Sequence, residues 1–98
     1  MSELEDRFEA LKRRFAARCA EDLPVIERAL ADPKAVSAED LRFVVHRLSG
    51  AAGTFGFAEL SAAAGEADDL LVADKSVPPD VLGRVAELTG AVMRDFGT

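Results

Sequence analysis

The chain has 98 residues, 49% of them apolar with neither Trp nor Tyr, so it is expected to form one domain (1–98) with a core of Leu, Val, Ala and Phe. A net charge of −6 leaves no basic stripe for nucleic acid, and one Cys with one His cannot supply the three or four ligands of a zinc site. There is no run of about 18 apolar residues and no basic-then-apolar leader, so neither a membrane span nor a signal peptide is expected, and a single unpaired Cys fits a reducing cytoplasm.

The first segment runs from about Ser2 to Leu30. Ser2 with Glu5 three residues on is a capping-box signature. Leu4, Phe8, Leu11, Phe15, Cys19, Leu23, Ile26 and Leu30 recur every three or four residues, the stripe of a long amphipathic helix. Glu3/Arg7 and Glu9/Arg13 stand at the favourable four-residue spacing. Pro24 removes a backbone donor and crowds the Ala20 carbonyl. The stripe stays in phase across it, which predicts a kink in one helix; a break with Asp22 capping a second piece is the other possibility. Cys19 lies on the stripe and reads as a small buried hydrophobe.

Asp32-Pro33-Lys34 marks a turn, and Ser37 caps a second helix with Asp40 in the reciprocal position. At about 100° per residue, Leu41, Val44, Val45, Leu48, Ala52 and Phe55 gather on one side and form its core face. His46, the only histidine, falls roughly 140° from that direction and should face solvent. Phe43 lies one turn above it, Gly50 one turn below and Gly53 two turns below. A glycine inside an exposed helix costs about 1 kcal/mol against alanine, so two of them in one stretch need a reason. A steric reason suffices: without a side chain at Gly50, another molecule can approach the imidazole. The helix should end near Phe55, with Gly56 free to turn left-handed.

The third segment, about Phe57 to Val72, turns Leu60, Ala63, Ala64, Ala67, Leu70 and Leu71 inward, and so many alanines imply a close neighbour. Asp74-Lys75-Ser76 closes it. Pro78-Pro79-Asp80 opens the last helix, whose stripe is Val81, Leu82, Val85, Leu88, Val92, Met93 and Phe96. Four amphipathic segments with short loops predict an all-α, antiparallel up-and-down four-helix bundle.

The run His46-Arg47-Leu48-Ser49-Gly50, continued by Ala51, Ala52, Gly53, Thr54, Phe55 and Gly56, resembles the His-x-Leu-Lys-Gly core of the histidine phosphotransfer (HPt) domain family. The resemblance covers about residues 36 to 72 and departs at Ser49, where the family usually has lysine. It implies that His46 is a phosphoacceptor in a multistep phosphorelay. Phosphate would come from a receiver aspartate or a histidine kinase and pass to a response-regulator receiver. Mg²⁺ would be held by that receiver, so no cofactor or metal is expected here. The family's surface around the histidine is apolar, which makes Phe43, Gly50 and Gly53, with Arg47 beside them, the expected docking residues, and Phe57 either a further one or a core residue at the start of the third helix.

The chemistry is consistent with this. Neutral imidazole is nucleophilic near pH 7, its unperturbed pKa being about 6.5. Phosphoryl transfer needs positioning and charge neutralisation more than covalent machinery. Ser49 can offer a hydrogen bond in place of the family's lysine, and Arg42, about 40° round the helix from His46, can offer a cation. Arg47 points about 100° away and is the weaker candidate. Glu66, Asp68 or Asp69 of the third segment could fix the other ring nitrogen; the sequence does not choose among them, or between them and water. No glycine-rich phosphate loop is present, so a phosphocarrier without its own ATP site is expected, rather than an enzyme. Ser49 beside His46 lacks the orienting acid and oxyanion donors of a hydrolase. Two other readings fit the same motif: an adaptor that binds a receiver or kinase without carrying phosphate, and the phosphoacceptor domain of a longer chemotaxis-type kinase. A monomer is expected.

Overall fold

Two serines start the two helices on which the rest is built. In a computed structural model, which describes residues 2–97, Ser2 Oγ accepts from the Glu5 N–H and Ser37 Oγ from the Asp40 N–H, each at 3.1 Å. These bonds satisfy donors that the first helical turn leaves free. The helices are α1 (Glu3–Ala31), α2 (Ala38–Thr54), α3 (Ala58–Val72) and α4 (Pro79–Phe96), with no strand among the described residues. No helix among them is long and apolar enough to cross a membrane.

Each helix packs against two neighbours: α1 on α2 and α4, α3 on α2 and α4. The diagonal pairs stay apart, as in an up-and-down bundle. Cys19, Ile26, Val45, Leu48, Ala52, Leu60, Ala64, Ala67 and Val85 fill the space between them, each at most 2% exposed. Five of the six positions assigned to the α2 core face are buried, and the sixth, Phe55, is half-buried against them.

Helix α1 continues through Pro24 as one element, so no second piece begins at Asp22. Asp22 lies inside the helix and only 3% exposed. The helix is also longer than its partners: 29 residues span about 44 Å, close to the molecule's longest dimension of 46 Å. Along its first turns Leu4, Phe8 and Leu11, expected on the inner stripe, are exposed. Arg7 pairs with Glu3 at 3.1 Å as expected, but Glu9 pairs with Lys12 rather than Arg13, at 3.6 Å.

Gly56 takes φ +84° and ends α2. The turn sends Phe57 inward, where it stacks on Phe15 at 5.7 Å and meets Phe96 edge-on at 5.2 Å. Phe8 and Phe55 join the same cluster. Phe57 thus closes one pole of the bundle, taking the core position that was the second of its two expected places. Of the six phenylalanines only Phe43 lies outside this cluster.

Candidate functional site

His46 stands in the middle of α2 on the side opposite the core, with its side chain 68% exposed. Its Nδ1 lies 2.8 Å from Asp68 Oδ2 on α3. A carboxylate can only accept, so Nδ1 carries the proton and donates it. The lone pair is then on Nε2, which faces away from Asp68. The carboxylate is itself mostly covered, at 14% exposure, and its other oxygen lies 3.3 Å from Arg42 Nε, an ion-pair distance without hydrogen-bond alignment. Asp68 therefore gathers His46 and Arg42 from successive turns of α2.

A seam of small residues sets that register. The Ser49 hydroxyl donates to the Ser61 carbonyl, and the Ser61 hydroxyl donates back to the Ser49 carbonyl, both at 2.9 Å. A Cβ at Gly65 would come 3.2 Å from Ser49 Oγ, and one at Gly53 would come 3.1 Å from Ser61 Oγ. Steps back along α2 match equal steps forward along α3: Gly53 meets Ser61, Ser49 meets Gly65, and His46 meets Asp68. Of the three acidic candidates on α3, only the one in this register reaches the imidazole.

The seam bears on two expectations. Ser49 spends its hydroxyl on Ser61 and lies half-buried, so it is a helix-packing group and not a hydrogen-bond donor beside His46. The missing side chain at Gly53 admits α3, a packing role that the expected docking role did not include. Gly50 is different: a Cβ there would meet nothing within 4 Å. The gap below the imidazole is open. Phe43, one turn above, is 65% exposed.

Arg47 also departs from expectation. It is turned towards α1, where it pairs with buried Asp22, and its guanidinium lies over the Phe43 ring, 5.1 Å from the centroid. Burial pushes the Asp22 carboxyl above its ordinary value, with Arg47 and then Arg18 pulling it back. Asp22 is the functional-region residue that periodicity missed. It stands three positions from Cys19 and four from Ile26, on the buried stripe, and that placement was the available signal. Cys19 itself is fully buried, its thiol pushed up to about 12 by desolvation and then by Asp22.

The bundle thus presents one solvent-facing histidine, oriented by a carboxylate from the next helix and bordered by an open glycine. The family model described as Hpt domain matches residues 10–93, and the chain belongs to that family. No curated protein and no solved structure matches the chain.

Proposed function

We propose that the protein is a phosphocarrier of a two-component phosphorelay in which His46 Nε2 is the phosphoacceptor. The observation that carries this reading is the His46 Nδ1–Asp68 bond at 2.8 Å beside the open face of Gly50. In the step proposed, Nε2 attacks the phosphorus of a receiver's aspartyl phosphate. The N–P bond forms, the acyl O–P bond breaks, and the receiver's aspartate leaves as carboxylate. The imidazole is left with both nitrogens substituted and a positive charge, which Asp68 neutralises. Reversal onto a second receiver completes the relay, and a histidine kinase is the alternative donor.

Arg42 supplies the cation that Ser49 cannot. Its Nε is held by Asp68, and its two terminal nitrogens are left for the phosphoryl oxygens. A lysine at position 49 would have to leave the seam against Gly65, so the charge comes from one turn above His46 instead of below. Phe43 and Gly50 form the docking surface, and Mg²⁺ is supplied by the receiver. The carrier acts as a monomer in the cytoplasm.

The test is incubation with a phosphorylated receiver, followed by a search for an acid-labile, base-stable phosphoprotein. Label is expected on the wild type and absent from His46→Gln. Label that persists in that variant would place the acceptor elsewhere.

A further inference from the structure

The buried pair between Asp22 and Arg47 is poorly explained by stability alone. Asp22 is 3% exposed on α1, and the Arg47 side chain is 31% exposed on α2. Taking both charges out of water offsets most of their attraction, and apolar side chains of similar volume commonly do as well. Phe15, Leu48 and Ala51 give the same cavity of about 340 Å³ apolar walls that would suit such side chains, with Arg14 and Arg18 the other charged groups lining it. The pair is also imperfectly satisfied: Asp22 Oδ2 and Arg47 Nε have no hydrogen-bond partner. What the pair does supply is direction. It draws the guanidinium off the surface and lays it over the ring of Phe43.

Phe43 is the one phenylalanine outside the aromatic cluster, and it is one turn from His46. An exposed ring that must be ordered when a partner docks costs binding free energy, and a ring already held in place avoids that cost. Because Asp22 neutralises Arg47, the surface presented beside His46 is an apolar ring and not an extra cation. The partner surface that fits it is apolar.

We infer that Asp22 is a positioning residue for receiver recognition: through Arg47 it holds the Phe43 ring in the orientation that a docking receiver meets. The inference rests on the phosphocarrier reading above.

The experiment compares two phosphoryl donors. One is phosphoramidate, a small P–N donor that needs no docking surface. The other is a phosphorylated receiver domain, chosen from a panel because it phosphorylates the wild-type chain. Two variants are used: Asp22→Asn, and the double replacement Asp22→Leu with Arg47→Met, which leaves no charge buried without a partner. Both are expected to raise the KM for the receiver by about three- to tenfold, with the saturating rate and the phosphoramidate rate within about twofold of wild type. Phe43→Ala should raise KM similarly, and adding Asp22→Asn to it should change nothing further, because the two residues act through one ring. Additive effects of Asp22→Asn and Phe43→Ala overturn the inference. So does a parallel fall with both donors, which indicates a loss of fold. If wild type accepts phosphate from phosphoramidate and the receiver while the Asp22 variants match it in KM, the inference fails and the phosphocarrier reading stands. If neither phosphoramidate nor any receiver of the panel phosphorylates the wild type, both fail.

Discussion

The face of α2 that carries His46 and the seam where α2 meets α3 both lack side-chain bulk, for opposite reasons. At Gly50 a Cβ would meet open space, whereas at Gly53, one turn on, it would come 3.1 Å from the Ser61 hydroxyl. The first absence leaves room for a molecule that is not part of the chain. The second lets α3 approach closely enough for the paired serine hydrogen bonds, which in turn bring Asp68 opposite His46. The two absences are linked, because the close approach on one side orients the imidazole that the gap on the other side exposes.

The largest effect separating the two regions is expected from Gly50→Leu. Transfer from a receiver should fall roughly 100-fold, since small displacements of reacting groups cost that much. Stability should rise by about 1 kcal/mol because leucine is the better helix former. A variant that transfers at the wild-type rate would show that the gap has no part in docking. Gly53→Val tests the seam. It should lose about 2 kcal/mol in urea denaturation, the cost of overpacking against a hydroxyl that is already bonded. An unchanged midpoint would mean that α3 does not rely on that close approach.

Asp68→Ala removes the group that connects the regions. Phosphorylation of His46 at neutral pH should slow by roughly tenfold, because Nδ1 loses its carboxylate partner and the tautomers mix. A rate equal to wild type would assign tautomer control to solvent. Ser61→Ala takes one of the two reciprocal bonds and should lower stability by about 1 kcal/mol with transfer unchanged. A matching loss of transfer would tie the seam more tightly to the site than the geometry implies.

The smallest effect concerns pH. Burial raises the Asp22 carboxyl above 3.8, so the folded chain holds that proton more tightly than the unfolded chain. The stability carried by this proton is fully present below that ordinary value and is lost as pH rises through the folded-state value. As pH is lowered from neutral towards 4, wild type should therefore gain on the non-titrating Asp22→Asn. Urea midpoints of the two proteins at several pH values measure the difference, and a wild type that loses ground to the variant as pH falls contradicts the upward shift.

Much of this molecule is legible in its sequence, and what is hidden has a common cause. Apolar periodicity located the α2 core at Leu41, Val44, Val45, Leu48 and Ala52, and capping chemistry located the starts at Ser2 and Ser37. It also set His46 on the open side and Gly56 at a left-handed turn. A helical pattern gives each side chain a direction along its own helix, but not what stands opposite. Ser49 and Gly53 therefore looked like surface on the His46 side until α3 was in place. Arg47 looked solvated until Asp22 was found buried across the α1–α2 interface. The same limit works in reverse at Leu4 and Leu11, which have the right spacing for a core but no helix standing over them and are exposed. Thr89 on α4 is fully buried and was not singled out; its hydroxyl is satisfied by the Val85 carbonyl at 2.7 Å within its own helix.

In the relay proposed, one ring nitrogen of one histidine takes the phosphoryl group, and Asp68 makes the choice of nitrogen. Phosphorus NMR of the protein after transfer from a phosphorylated receiver distinguishes the two phosphohistidine isomers. A single signal from Nε2-phosphohistidine, absent in His46→Gln, is the predicted result. A signal from the Nδ1 isomer, or one that remains when His46 is replaced, would contradict it.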